Sequence, residues 1–328
     1  MTDAPLVSVV IPSFNRAGTI LRALDSVVRQ THRPLEIIVV DDASTDDTPR
    51  VVDRSACPVQ LTLVALSHNE GAAAARNHGI ALAQGDYVAF LDSDDEWQPD
   101  KLARQLAGLG KETGASYTGI ASYGEDGTLC ALSRATAEGD LLPALFNHNL
   151  VGSTSGVMVR RDLLQQIGGF DVSLRSCQDW DLWLRLAALT RFACVPEPLT
   201  WLHIAREGRI STNGRARLSG YLRVYRTHLR RPFQSGQADP ALFRTNLGEI
   251  FMQLDRPDHA ARQLAAIWRA KPWSIKRLTL LVLARLGAGK ARYFRVTAWL
   301  ERLEARLRPS PIAPPAGLAL GGPRARRP

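Results

Sequence analysis

Four nearly unbroken apolar runs, Val7–Ile11, Leu35–Val40, Leu61–Leu66 and Tyr87–Leu91, punctuate the first third of the chain. Runs without polar alternation read as strands covered on both faces, the pattern of a parallel sheet. Between the first two, Ile20, Leu21, Leu24, Val27 and Val28 recur at helical spacing and form one apolar stripe. Ser44 and Thr45 ahead of Asp46 and Asp47 mark a second helix start. The Ala-rich stretch Gly71–Ala83 supplies a third helix, and Gly85-Asp86 turns into the fourth strand. The alternation β-α-β-α-β-α-β predicts an open doubly wound α/β sheet.

After Asp100 the pattern loosens. Ala115–Tyr123 and Ser155–Arg160 read as further strands, Asp162–Gln166 as a short helix and Gln178–Leu189 as an amphipathic one. Beyond residue 213 strand patterns cease, and Leu218–His228, Ala241–Leu254, Ala260–Lys271 and Ser274–Leu286 all have helical spacing. Residues 247–272 resemble a single tetratricopeptide-type hairpin, too few repeats for a solenoid. Pro, Gly and Arg dominate 309–328, a composition that predicts disorder. The expected domains are therefore an α/β domain over 1–212, a helical region over 213–308 and a disordered tail over 309–328.

At 328 residues with 45% hydrophobic and 22% charged positions, the chain is long enough and apolar enough for a large buried core. Its longest C-terminal apolar stretch, Leu278–Leu286, is broken by Arg285, so no membrane-spanning helix is expected. The start, Met-Thr-Asp-Ala-Pro, lacks the pattern of a signal peptide, which predicts a cytoplasmic protein. Cys57, Cys130, Cys177 and Cys194 are scattered, without metal-ligand spacing, and read as free thiols. The net charge of +9 is unevenly placed: residues 271–328 hold 13 Lys and Arg against two acidic residues. That placement argues against nucleic-acid binding by the α/β domain. It leaves a solvated helix face or contact with an anionic membrane over 273–308, where Lys276, Arg277, Arg285, Lys290, Arg292 and Arg295 interleave with Trp273, Leu278, Leu281, Tyr293, Phe294 and Trp299.

Ligands of open α/β sheets bind at the carboxyl ends of the strands. Here those ends carry Pro12-Ser13-Phe14-Asn15, Asp41-Asp42 and Asp92-Ser93-Asp94-Asp95. Five carboxylates in one crevice are costly without a counter-ion, and hard oxygen ligands suit Mg²⁺ or Mn²⁺, which also recruit phosphate oxygens. Neither Gly-x-Gly-x-x-Gly nor Gly-x-x-x-x-Gly-Lys-Ser/Thr is present. Phe14 beside Asn15 offers an aromatic face for a base, and Asp42 an acceptor for a base N–H.

These residues resemble glycosyltransferase family 2: Val7 through Arg16, Val39-Val40-Asp41-Asp42-Ala43-Ser44-Thr45-Asp46, Asn69-Glu70-Gly71 with Ala75-Arg76-Asn77, and Phe90-Leu91-Asp92-Ser93-Asp94-Asp95. Gly168-Gly169-Phe170-Asp171 followed by Gln178-Asp179-Trp180-Asp181-Leu182-Trp183 is similar to that family's second-half signature. The resemblance implies a GT-A fold, a nucleotide-diphosphate sugar donor, uridine by family habit, and inversion at the anomeric carbon. It implies that Pro12, Phe14 and Asp42 hold the base with Asp41 and Asn15 beside them, and that Arg76 contacts the nucleotide. Asp92 and Ser93 fall near the ribose, Asp92 and Asp94 form the Asp-x-Asp pair with Asp94 on the metal, and Asp95 is an added carboxylate. Asp179 falls at the catalytic base, and His203 resembles a late His that contacts metal or diphosphate. Two departures stand out: Gln178 replaces the family's usual Glu, and Ile204-Ala205-Arg206-Glu207 replaces a short Gly-rich loop after His203.

The expected activity is transfer of a sugar to a hydroxyl of a glycan or lipid-linked acceptor in cell-surface polysaccharide synthesis, with the protein peripheral at the inner membrane face. A catalytically silent sugar-nucleotide-binding scaffold is the alternative, and intact Asp92, Asp94 and Asp179 argue against it. A sugar-nucleotide pyrophosphorylase would need a basic Gly-rich loop after the first strand, and a glycosidase two opposed carboxyls without metal.

Overall fold

The computed structural model describes residues 4–204, 213–270 and 275–285, with a few positions between 293 and 300. In its sheet β1 (Val7–Ser13) is an interior strand with every residue buried. It pairs in parallel with β2 (Leu35–Asp41) on one side and β4 (Tyr87–Phe90) on the other, and β3 (Leu61–Ala65) extends the sheet beyond β2. Alternate side chains of β1 serve opposite faces. Val7, Val9 and Ile11 join one core with Ile20, Leu24 and Val27 of α1 (Ile20–Val28), where burial of each large side chain is worth about 1.5–3 kcal/mol. Val10 lies under α3 (Ala72–Leu82), where Gly79 leaves its side chain room: a Cβ at 79 would collide with both methyls of Val10. α2 (Thr48–Asp53) starts later than the sequence suggests. Ser44 and Thr45 are spent on the preceding loop, Ser44 donating its N–H to Asp41 and Thr45 its N–H to the Asn15 side chain.

The chain runs β1, β2, β3 outward and then crosses back to place β4 on the other flank of β1. The switch point between β1 and β4 is where a ligand crevice opens in such sheets. Past β4 the expected parallel order gives way to a mixed one. β8 (Val157–Arg160) is antiparallel to both β4 and β6 (Thr113–Gly124), whereas β6 runs parallel to β9 (Arg191–Ile204). The short β5 (Glu96–Trp97) pairs with β9, and β7 (Leu129–Ser133) pairs with β6, giving the order β3-β2-β1-β4-β8-β6-β9-β5. α4 (Lys101–Ala107), α5 (Leu142–Leu145), α6 (Arg161–Gln166) and α7 (Gln178–Ala187) cover this half. The first residue of α4, Lys101, is wholly buried, its Nζ 3.9 Å from the centroid of the Trp97 ring and donating to Gln105 Oε1 at 2.6 Å. With no carboxylate beside it, burial pushes its pKa well below the ordinary lysine value.

Helices follow β9: α8 (Gly214–Val224), a π-helical turn at Tyr225–Leu229, α9 (Arg230–Gln234), α10 (Pro240–Gln253), α11 (Pro257–Ala270) and α12 (Ile275–Arg285). The compact units divide between Ile250 and Phe251, not at the expected 212/213 boundary. The reason is chemical: Tyr221 of α8 packs its ring 5.3 Å from that of Trp180, and His228 Nε2 lies 2.7 Å from Asp181 Oδ1, so α8 and the π turn belong to the first unit. In the second unit α11 and α12 bury Ala260, Leu264, Ile267, Leu280, Leu281 and Ala284. Residues 205–212, most of the basic segment 273–308 and the tail 309–328 lie outside the described residues.

Candidate active site

The loops after β1 and β2 are laced together. Asn15 N–H donates to Ser44 Oγ at 2.8 Å, Asn15 Oδ1 accepts from Thr45 N–H at 2.8 Å, and Arg16 N–H donates to Thr48 Oγ1 at 2.7 Å. Asn15 and Ala43 both take positive φ, 53° and 59°, conformations that cost free energy and cluster at functional sites. The lacing leaves Phe14 at the lip of a cavity, 42% exposed. Asp42 lines the same cavity, and its carboxylate accepts from the backbone N–H groups of Glu70 and Gly71 at 2.7 and 2.8 Å. Asp41 is different from its expected place beside the base. It is 1% exposed, lies off the cavity wall, and both its carboxylate oxygens are taken by Ser44, through N–H and Oγ. Asp41 shapes the turn, and the Asn15 side chain braces it.

Across the switch point, the turn after β4 brings Asp92, Ser93, Asp94 and Asp95 to the cavity. Arg76 of α3, 7% exposed, donates to Asp92 Oδ1 at 2.5 Å, and its guanidinium stands 5.4 Å from the centroid of the Phe170 ring. Arg16 Nε lies 3.6 Å from Asp94 Oδ2, while Arg22 donates to the Asp94 carbonyl at 2.6 Å. Asp95 turns inward and accepts from Ser155 Oγ at 2.6 Å. Burial first, then the charges of Asp92 and Asp94, push its carboxyl well above the ordinary range. His203 lines the cavity, but its Nε2 is 3.3 Å from Glu96 Oε1. Burial opposes ionisation of Glu96, yet that hydrogen bond and the His203 charge outweigh it and hold the carboxyl below its usual value.

This turn fits a hard divalent cation. Mg²⁺ is usually held by one or two carboxylates with phosphate oxygens and waters completing the shell, and Asp94 with Asp92 offers that. The charge crowding that raises Asp95, and the guanidinium groups drawn to Asp92 and Asp94, are what an excess of negative charge produces. Asp95 and His203 are less suited than the sequence suggests, being committed to Ser155 and Glu96. Among the described residues no three carboxylate, imidazole or thiolate side chains form a ready ligand set.

The N-terminus of α7 carries Asp179 to the same cavity. The residue before the helix, Cys177, has φ 62°, and Gln178 Nε2 donates to the Leu174 carbonyl at 2.5 Å. Asp179 Oδ2 accepts from Asn149 Nδ2 at 2.7 Å, and Asn149 Oδ1 accepts from Gly152 N–H at 3.2 Å. Burial raises the Asp179 carboxyl above its ordinary range, although the Trp180 N–H, Asn149 and the Arg76 charge all favour the ionised form. Trp183 belongs to the core, while buried Trp180 donates from Nε1 to the Leu145 carbonyl at 2.9 Å and also borders the cavity.

The cavity, about 1090 Å³, thus unites Pro12, Phe14, Asn15, Asp42, Arg76, Asp92, Ser93, Asp94, Asp95, Asp179 and His203. Sequence reasoning missed several of its residues. Ser13 Oγ and Arg76 Nε are buried without a hydrogen-bond partner, a condition a polar ligand relieves. Asn149, Arg217, Tyr221 and Asn246 reach the wall from segments whose spacing carries no motif.

The profile of Glycosyl transferase family 2 matches residues 8–168. The chain is 38% identical over 184 residues to the Bacillus subtilis protein named for teichuronic acid biosynthesis, TuaG, covering 56% of this chain and 72% of that one. It is 30% identical over 316 residues to the succinoglycan biosynthesis protein ExoO of Rhizobium meliloti, covering 88% of each. Among solved structures, TarS 1–349 of S. aureus in complex with UDP-GlcNAc superposes with a TM-score of 0.56 at 18% identity, over 91% of this chain and 92% of that one. The mannosyltransferase PcManGT of Pyrobaculum calidifontis, with GDP-Man and Mn²⁺, gives 0.56 at 22% identity, over 93% and 89%. The fold is that of the GT-A glycosyltransferases. The chain belongs to glycosyltransferase family 2.

Proposed function

We propose that this protein transfers a sugar, with inversion, from a nucleotide-diphosphate donor, UDP-linked in the first instance, to a hydroxyl of a glycan or lipid-linked acceptor in cell-surface polysaccharide synthesis. One observation carries the reading: a half-buried carboxylate, Asp179, held by Asn149, shares a cavity with the Asp92–Asp95 turn and the exposed Phe14. The names of TuaG and ExoO support the polymer context, and the UDP-GlcNAc complex of TarS supports the donor class.

In this mechanism Phe14 stacks on the base, Asp42 fixes the loop that borders it, and Arg76 and Ser13 offer donors to the nucleotide's polar groups. Asp94 and Asp92 would hold Mg²⁺ or Mn²⁺, which when bound neutralises charge developing on the departing diphosphate. Asp179 accepts the proton of the acceptor hydroxyl as that oxygen attacks the anomeric carbon from the face opposite the leaving group. Arg76 favours the ionised base while pairing with Asp92, so one guanidinium tunes both ends of the reaction. The basic segment 273–308 supplies the contact with an anionic membrane surface that a lipid-linked acceptor calls for.

The test is a panel of UDP-, GDP- and dTDP-sugars with Mn²⁺ or Mg²⁺, read by calorimetry and by donor hydrolysis. Metal-dependent binding of one donor is expected, lost in Asp94→Ala. Asp179→Asn binds that donor but turns over roughly 10²–10⁴-fold more slowly, the usual worth of a positioned base. If no sugar nucleotide binds with either metal, the reading fails. If one binds and is never turned over, even with lipid extract as acceptor, the protein is a silent binder.

A further inference from the structure

The Asp92–Asp95 turn has little of its own to hold it. One backbone bond closes it, from Asp95 N–H to the Asp92 carbonyl at 3.0 Å. Against that bond stand the carboxylates of Asp92, Asp94 and Asp95, and the charges of the first two bear directly on the third. Like charges this close drive the side chains apart. The neighbouring strands fix only the ends of the segment: Leu91 N–H donates to the Val10 carbonyl at 3.1 Å, and Glu96 pairs with Trp201 of β9. Arg76 and Arg16 meet Asp92 and Asp94 on the cavity side, where a cation would sit. Support that persists when the cation binds must come from behind.

Two residues off the cavity wall supply it. Ser155 is wholly buried in the tight helical turn Thr154–Gly156 ahead of β8. Its hydroxyl is used twice, accepting from Asp92 N–H at 3.0 Å and donating to Asp95 Oδ2 at 2.6 Å, so one oxygen ties the first residue of the acidic turn to the last. Ser155 is itself anchored in the core: its carbonyl accepts from Trp97 Nε1 at 2.7 Å, and the carbonyl of Gly156 accepts from Gln105 Nε2 at 3.0 Å. Arg22 reaches over from α1 and donates from Nη2 to the Asp94 carbonyl at 2.6 Å. Its charge also helps to keep Glu96, the partner of His203, ionised. Ser155 thus grips the two ends of the turn and Arg22 its middle. Because Asp95 is turned inward onto Ser155 and a His203 backbone contact, Asp92 and Asp94 are the carboxylates left for a cation. Two carboxylates suit an ion that keeps coordination positions for phosphate oxygens.

We propose that Ser155 and Arg22 are positioning residues for the divalent cation: acting through the turn and touching neither metal nor donor, they hold Asp92 and Asp94 in the arrangement that binds it. This rests on the glycosyltransferase reading above and adds to it the residues that set the affinity of its metal site. Neither residue belongs to a motif at the strand ends, and each reaches the turn only because the fold brings α1 and the start of β8 behind it.

The test titrates UDP and GDP calorimetrically into the full-length protein across a series of Mn²⁺ concentrations, and reads the Mn²⁺ concentration that gives half-maximal nucleotide binding. Wild type, Ser155→Ala and Arg22→Met are compared. Each substitution is expected to raise that concentration tenfold or more, since losing a group that orients a metal ligand usually costs roughly 10–100-fold in metal affinity. Donor hydrolysis on the same preparations should recover to within a few-fold of wild type once Mn²⁺ is saturating, a recovery that a damaged fold would not allow. If Ser155→Ala does not fold, Arg22→Met, at a partly buried helix position, carries the test. A rise smaller than tenfold in a folded variant, or a loss of hydrolysis that saturating Mn²⁺ does not repair, overturns the proposal. The wild-type protein separates the two failures. If its nucleotide binding depends on Mn²⁺ and the variants match it, only the positioning inference falls; if it binds neither nucleotide with Mn²⁺, the transferase reading falls as well.

Discussion

At the scale of single residues, the site depends on one amide. Asn149 donates to Asp179 and is itself fixed by Gly152 N–H, so it both aims the carboxylate and favours its charge. Because burial raises Asp179, the ionised fraction of this carboxylate falls as pH drops through a value above the ordinary aspartate pKa of about 3.9. Removing the Asn149 donor raises that value further. Asn149→Ala is expected to move the acid limb of kcat/KM upward by about one pH unit, since a hydrogen bond to a charged group is worth about 1.5–3 kcal/mol. A pH profile of donor-sugar transfer measures this directly, and an unmoved acid limb would remove Asn149 from the mechanism. No motif announces Asn149, because its importance comes from a fold that brings residue 149 to residue 179. Asp92, Asp94 and Asp179 were legible because strand-end and helix-start positions expose them to a crevice. Asp41 was legible as part of a motif but not as a turn former, since a carboxylate that caps Ser44 and one that faces a ligand look identical in sequence.

Among the elements, β1, β2, β3 and β4 fall within a residue or two of their apolar runs, although β3 is only half-buried, and β6 and β8 were legible as well. β9 escaped notice because Pro196 and Pro198 interrupt it, and the structure absorbs them where its register against β6 shifts between Thr118 and Ile120. β7 is exposed throughout and so has no apolar alternation to detect, and β5 is two residues long. The described residues after 213 are helical as expected, and Tyr221 and His228 tie α8 and the π turn to α7. The packing of α3 on β1 gives a test at this scale. Gly79→Ala forces a methyl into Val10, and overpacking of this kind costs about 1–3 kcal/mol. Urea denaturation should show a lower midpoint with an unchanged slope; equal midpoints would mean that α3 can lift from the sheet without cost.

For the whole molecule, the division of labour runs along the chain. The segment through β4 and β8 matches the family and lines the cavity with the Asp92–Asp95 turn, and α8 and α10 add Arg217, Tyr221, Leu242 and Asn246 to the same wall. Composition foresaw neither: the net charge of +9 describes residues 271–328, while the catalytic unit carries its charges in opposed local clusters. Only the fold shows that Arg16 and Arg76 stand against Asp94 and Asp92.

Lys101 turns this arrangement into a gauge. Burial holds its amine's pKa well below the ordinary lysine value, and the amine is sealed between Trp97 and Gln105. The Trp97 indole donates to the Ser155 carbonyl, and Ser155 holds Asp95, so this amine sits directly behind the acidic turn. The chain has only five lysines, and Lys111, ten residues further on, is exposed and serves as an internal reference. An acylating reagent followed by mass spectrometry should mark Lys111 at once and Lys101 only when the core opens. Donor and cation together should slow Lys101 further while leaving Lys111 unchanged, and equal rates at the two positions would show that the amine is not enclosed. This enclosed side chain thereby times, from inside, how often the fold comes apart.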